Sequence, residues 1–385
     1  MKFFNALILR LPFLSKAIFF FGKKLIFLWV IGVIFLFTRC DKENTPKTLL
    51  RSAQGKPTEI VVVMDSVHRK GAIGDAVKRI VEANIVGVLQ PEPLYKVYFI
   101  NPQEFQGILQ EYATVIIVTT FEQKTSGSRY LHKFFSKESI EKIKADTAIY
   151  YYSVADQFAA GQNVINLFGA DEATLLRHLA QHEKTLQDFL GKITREKTRE
   201  QIFSAKGEAG LAQHIKSKYN LTIQLPKGFV SAKEVKNDKD STGFVWLRQP
   251  EAKFDRSVII QYAPYRSEKQ FHPDSIVWKR NSIAMEHLYE DPEKPDSYVV
   301  TEMMIPPVFQ QISFNGRFAV EARGLWKTNN LAMGGSFISY VFADEKTQLI
   351  YYIEGFVYAP GMSKREIMKE LETILFSVNT AHPIK

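Results

Sequence analysis

At 385 residues the chain carries a formal net charge of +9, which looks basic. Six of its 50 basic residues and none of its 41 acidic ones fall in positions 1–39, so the remainder holds 44 against 41 and is nearly balanced. That balance removes the electrostatic case for nucleic acid, and a single cysteine, Cys40, leaves no disulfide to brace the fold.

Lys23 and Lys24 precede an apolar run from Leu25 to Phe37; Arg39, Cys40 and the polar stretch Asp41-Lys42-Glu43-Asn44 follow. As a helix the run reaches about 20 Å, short of a bilayer core of about 30 Å. The layout is that of a lipoprotein export signal over 1–39. Cleavage would fall before Cys40, and acyl chains of the palmitate kind on its thiol would hold the chain on a membrane of the cell envelope. Arg39 stands where such signals usually carry Gly, Ala or Ser, so an uncleaved anchor and an incidental cysteine stay open. Residues 40–56 read as a polar tether.

After Cys40 the chain has roughly 345 residues, which favours two domains over one. Ile60 to Met64 is a continuous β-branched run, the mark of a strand buried on both faces. Ile73, Ala76, Val77, Ile80 and Val81 recur at helical spacing behind Gly71 and Gly74. Strands are expected over 94–100, 113–120 and 162–168, a short helix over 102–112 and a charged helix over 137–145. Asp171 caps a long helix striped by Leu175, Leu179, His182, Leu186 and Leu190. The pattern predicts an α/β layer sandwich from 57 to 206.

Beyond Gly210 strands dominate. They are expected over 221–225, 243–248, 257–262, 299–304, 318–323, 336–342 and 349–357, with one helix over 272–289. A final helix over 363–376 carries the stripe Ile367, Leu371, Ile374 and Leu375, with Ser363 and Glu366 as a capping box. This half predicts an α+β domain with a mainly antiparallel sheet from 211 to 380.

No catalytic constellation is complete, and nothing points to a metal or cofactor. His178 and His182 have the i, i+4 spacing of a zinc site, but Glu183 is misplaced for a metalloprotease, and His182 sits on the apolar stripe. Gly71 and Gly74 follow a strand and open a helix where an anion could rest, without the phosphate-loop or dinucleotide spacing. Ser139 and Lys142 match a Ser-x-x-Lys pattern that lacks its partner motifs. Asp238, Asp240, Glu290 and Asp291 read as solvated surface. Aromatics such as Trp246, Trp278, Trp326 and Tyr352 would form sheet core or a platform for a sugar or peptide.

Several stretches together resemble a known family. They are Gly55 to Met64, Gln90-Pro91-Glu92-Pro93, Arg323-Gly324-Leu325-Trp326, Met333-Gly334-Gly335-Ser336-Phe337 and Gly355 to Pro360. In this order they are similar to an uncharacterised Bacteroidota lipoprotein family, domain of unknown function 4837. The resemblance implies an envelope protein with a lipoprotein signal and brings no catalytic residues. Asp41 and Glu43, interrupted by Lys42, are similar to signals that send such lipoproteins outward, so the outer membrane and the periplasmic face of the inner membrane both stand. The C-terminal half is also similar to small antiparallel folds of the photosystem-associated and nuclear-transport-accessory kind.

The expectation is a membrane-tethered, non-enzymatic protein that binds an envelope protein or glycan. Asp65, Gly71, Gly74, Arg323 and Trp326 are its candidate ligand-binding residues. The alternative is a hydrolase-like or glycan-processing enzyme at the carboxyl ends of the first and third strands, where Asp65, Ser66 and Thr120 would sit.

Overall fold

A computed structural model of the chain describes residues 50–380, apart from 205–206, 292–293 and 331–332. The predicted signal and Cys40 lie outside the described residues. Arg51 to Lys385 form one compact unit. The polar segment before residue 57 is docked from Arg51 onward: the Ala53 amide donates to Ala160 O at 2.8 Å and the Gln54 amide to Glu111 O at 2.7 Å. Among the described residues no helix is long and apolar enough to cross a membrane.

The N-terminal half is an α/β layer structure around a five-stranded sheet. Its strands are β1 (Glu59–Met64), β2 (Lys96–Ile100), β3 (Thr114–Thr120), β4 (Tyr151–Ala155) and β5 (Asn163–Gly169), in the order β2-β1-β3-β5-β4. All neighbours are parallel except β4, which runs antiparallel at one edge. Ile60 to Met64 are at most 1% exposed, as a β-branched run covered on both faces requires.

One face carries α1 (Ser66–Lys70), α2 (Ala72–Val81), α5 (Glu172–Gln181) and α6 (Glu183–Phe203); the other carries α3 (Ser126–His132) and α4 (Lys137–Ala145). Two expectations change. Residues 102–112 hold two short 3₁₀ turns instead of a helix, with Gly107 at φ +58° opening the second. The predicted long helix breaks at His182, whose ψ of 17° ends α5 and starts α6.

Helix α7 (Ala209–Tyr219) leads into the C-terminal half, which contains a nine-stranded antiparallel sheet. Its strands are β7 (Val230–Asn237), β8 (Thr242–Pro250), β9 (Asp255–Pro264), β10 (Tyr289–Asp291), β11 (Lys294–Thr301), β12 (Val308–Phe314), β13 (Arg317–Thr328), β14 (Gly334–Asp344) and β15 (Leu349–Tyr358). The order is β10-β11-β13-β14-β15-β9-β8-β7, with β12 paired to β13 off that path. A small pair, β6 (Leu221–Thr222) with β16 (Asn379–Thr380), ties the beginning of this half to residues after its last helix. Helix α8 (Pro273–His287) covers one sheet face; α7 and α9 (Arg365–Phe376) cover the other. Alternation along the strands sorts the two cores: Ile338, Tyr340 and Phe342 face α9, while Phe337 and Val341 face α8.

The two halves meet at α9. The capping box expected of Ser363 and Glu366 does not form, because residues of the N-terminal half take both side chains. Glu92 accepts bonds from Ser363 Oγ, from the Lys364 amide at 2.7 Å and from the Arg365 amide at 3.2 Å. Glu366 accepts instead from Thr58 Oγ1. Arg365 Nε donates to Pro93 O at 2.7 Å. Burial would raise the Glu92 pKa, but these donors outweigh it and hold the carboxyl below its usual range. Glu92→Ala should therefore cost about 1–2 kcal/mol, as loss of a helix cap does. Urea unfolding of the variant against the parent chain measures it, and an unchanged midpoint would contradict the capping role.

Candidate functional site: a cleft between the two halves

At the carboxyl ends of β1 and β3 the sheet order reverses direction, the place where α/β sheets often bind ligands. Here the side chains are occupied in holding the turn. Asp65, 5% exposed, caps α1 by accepting from the Val67 amide at 2.9 Å and takes a second bond from Thr125 Oγ1 at 2.7 Å. Thr120 Oγ1 lies 3.1 Å from His68 Nε2, and His132 Nε2 donates to Thr120 O at 2.9 Å. Burial lowers the His68 pKa against the pull of Glu172, Asp65 and Glu122, which favours the neutral ring. Ser66 opens α1 and is exposed. The two histidines were not anticipated; a lone His68 on a five-residue helix gives no periodic signal.

Gly71 ends α1 and begins α2, and a Cβ on Gly74 would lie 2.2 Å from Arg69 O. Both glycines therefore serve a tight helix-to-helix turn. The predicted His178–His182 pair lies against one ring: Tyr150 stacks on His178 at 4.7 Å and on His182 at 4.6 Å, and His178 Nε2 donates to Thr147 O at 2.6 Å. Ser139 belongs to the cap of α4, its amide donating to Ser136 Oγ at 3.0 Å, while Lys142 pairs with Glu138 at 2.8 Å.

Arg323 and Trp326 do not come together. Three residues apart on β13, they project to opposite faces. Arg323 forms a two-point pair with Glu321, at 2.7 and 3.1 Å, and reaches Glu372 at 3.1 Å. Trp326, 4% exposed, donates from Nε1 to Val357 O at 3.2 Å and meets Phe356 edge-on. Most aromatics of this half are likewise core; Trp278, 70% exposed, and Phe318, 52% exposed, are not.

Trp326 nevertheless lines a cleft of about 790 Å³ between the halves. One wall is Val88–Glu92, from the segment joining α2 to β2. The other is built from Leu325–Lys327, Gly334–Ser336 and Ala359–Arg365. Close approach makes this wall possible: a Cβ on Gly335 would lie 1.9 Å from Val357 O, and one on Gly87, at φ +80°, would lie 2.6 Å from the Gly324 amide nitrogen. Glu302 and Lys327 form an ion pair of 3.0 Å at this cleft. The Met304 amide and Lys327 hold Glu302 below its usual range. Leu89 on one side and Met303, Met304 and Ile305 in the segment after Glu302 are 72%, 52%, 88% and 47% exposed. Exposed apolar side chains of this kind beside a polar-edged cleft are what partner-binding surfaces commonly carry. Gln90–Glu92 of the N-terminal half and Leu325–Trp326, Gly334–Ser336 and Ala359–Pro360 of the C-terminal half converge here.

A larger cleft, about 1630 Å³, opens at the other end of the same sheet. Tyr265, Phe271 and Phe318 line it together with the first turn of α8, Arg317 and Asp344. Phe318 is half-exposed and meets Phe271 edge-on at 5.3 Å.

Residues 208–377 match the family model described as domain of unknown function (DUF4837), and residues 53–203 match that of domain of unknown function (DUF8532). The chain thus carries a DUF4837 domain in its C-terminal half, while Gly55–Met64 and Gln90–Pro93 fall within the DUF8532 match. No curated protein matches the chain. Among solved structures, a mutant of protein Mog1 aligns at 9% identity and a TM-score of 0.27, covering 42% of this chain and 91% of that one. The Ran-binding protein Mog1p of Saccharomyces cerevisiae aligns at 10% and 0.28, covering 42% and 90%.

Proposed function

We propose that the protein is a lipid-anchored envelope lipoprotein of the Bacteroidota kind that binds an envelope protein or glycan in the cleft between its halves and catalyses no reaction. The cleft carries this reading. Segments from both halves build one concave surface, and exposed Leu89 and Met304 supply the apolar contact that a macromolecular partner would bury. The hydrolase-like or glycan-processing alternative is less well supported. Asp65 and Thr120 are already engaged in capping and packing, and Asp65 has no exposed face from which to act on a substrate. The anchor rests on the order basic pair, apolar run, Cys40.

The test combines anchoring with contact. Cys40→Ser should abolish incorporation of labelled fatty acid into the chain, since the acyl groups are carried on that thiol. A photoreactive side chain at Leu89 or Met304 should give an adduct in cells that the same group at exposed Val67, at the carboxyl end of β1, does not. A Cys40→Ser chain that still takes up the fatty-acid label removes the anchor; identical adducts from all three positions remove the cleft.

A further inference from the structure

The sheets differ in how their free edges are protected. Edge strand β7 carries Lys233 and Lys236 and a register shift between Ser231 and Lys233. Edge strand β2 begins with Lys96, and β4 has only five residues. Charges, bulges and shortness are the devices that keep an edge from pairing with another strand.

Strand β12 has none of them. Its seven residues, Val-Phe-Gln-Gln-Ile-Ser-Phe, include no charge and no proline, and its pairing with β13 runs unbroken from Val308↔Arg323 to Phe314↔Arg317. Val308 is 54% exposed, and Gln310, Gln311 and Ser313 are exposed as well. Among the described residues no backbone hydrogen bond reaches the side of β12 away from β13.

The strand is also complementary to itself in reverse. A twofold axis perpendicular to the sheet keeps each face with its own kind, so facing residues must share parity. Ile312 and Phe314 belong to the α9 face and Phe309 to the α8 face. Placing Gln310 opposite Gln310 sets exposed Val308 against half-buried Ile312 on the first face and Phe309 against Gln311 on the second. Each Gln310 amide then offers a donor and an acceptor to its copy. A strand without charge has nothing with which to select a charged foreign partner, and isologous pairing closes on itself and uses up the edge.

We infer that β12 pairs antiparallel with β12 of a second copy of this chain, forming a twofold dimer centred on Gln310. This is independent of the anchor and of the cleft. Sedimentation of the full-length chain in detergent should show a dimer. Gln310→Lys and Gln310→Glu each set like charges face to face and should weaken it by at least about tenfold. Mixing the two variants should restore it, because unlike charges then meet. Gln310 is exposed, so circular dichroism of either variant should match the parent. A monomeric parent chain, a dimer indifferent to both charges, or variants that stay apart when mixed would each overturn the pairing.

Discussion

Glu354→Ala should destabilise the chain by about 3–5 kcal/mol, the usual effect of leaving one partner of a buried ion pair alone. Glu354 and Arg280 are 0% and 2% exposed at the side chain and bond through two contacts of 2.9 Å each. Arg280 reaches from α8 into the sheet, where its guanidinium lies 4.1 Å from the Phe337 ring centroid and donates to Thr301 Oγ1 at 3.1 Å. Tyr352 bonds to the same carboxylate. Removing Glu354 leaves a cation with one neutral acceptor in an apolar layer. The paired change Arg280→Met with Glu354→Leu should cost clearly less, because no uncompensated charge remains. Urea midpoints of the three chains decide it; a Glu354→Ala midpoint close to that of the double variant would rule out this account.

Glu372→Ala should cost about 3 kcal/mol and also reduce the cooperativity of unfolding. Its side chain, 7% exposed on α9, meets Arg195 of α6 at 3.0 Å, Arg323 of β13 at 3.1 Å and Lys369 at 3.1 Å. The carboxylate therefore links the N-terminal half to the C-terminal sheet. Burial would raise its pKa, but Lys369, Arg323 and Arg195 hold it well below the usual carboxylate range. A depressed folded-state pKa gives stability that is present above the unfolded value and is lost as pH falls toward the folded one. The deficit of Glu372→Ala should thus be full at pH 7 and shrink in strong acid. Unfolding free energies at both pH values check the sign; a deficit that grew in acid would contradict it.

Much of the fold was legible where one physical signal dominated. Ile60 to Met64 announced a doubly covered strand, and the stripe Ile367, Leu371, Ile374 and Leu375 announced a helix lying on a sheet; all but Ile367 of these are at most 1% exposed, and Ile367 is 7%. Strands β4 and β7 were missed because their residues are largely exposed and give no alternating apolar signal. The box at Ser363 and Glu366 was a sound local pattern overruled by Glu92, which lies 271 residues from Ser363. Arg323 and Trp326 stand close in sequence, but strand alternation sends their side chains to opposite faces. The cleft was legible only as scattered motifs, since no local pattern shows that Gln90–Glu92 and Gly334–Ser336 share a surface.

Helix α9 lies far along the chain from Glu92, Thr58 and Arg195, yet it holds the groups that they need. In vectorial synthesis those three side chains emerge well before residues 365–376 and meet their partners only once that helix has been made. A polypeptide interrupted anywhere before residue 365 would keep its first sheet but present an unsealed seam. Helix α9 therefore couples the two folding problems: the seam of the N-terminal half closes only when this helix is seated on the C-terminal sheet.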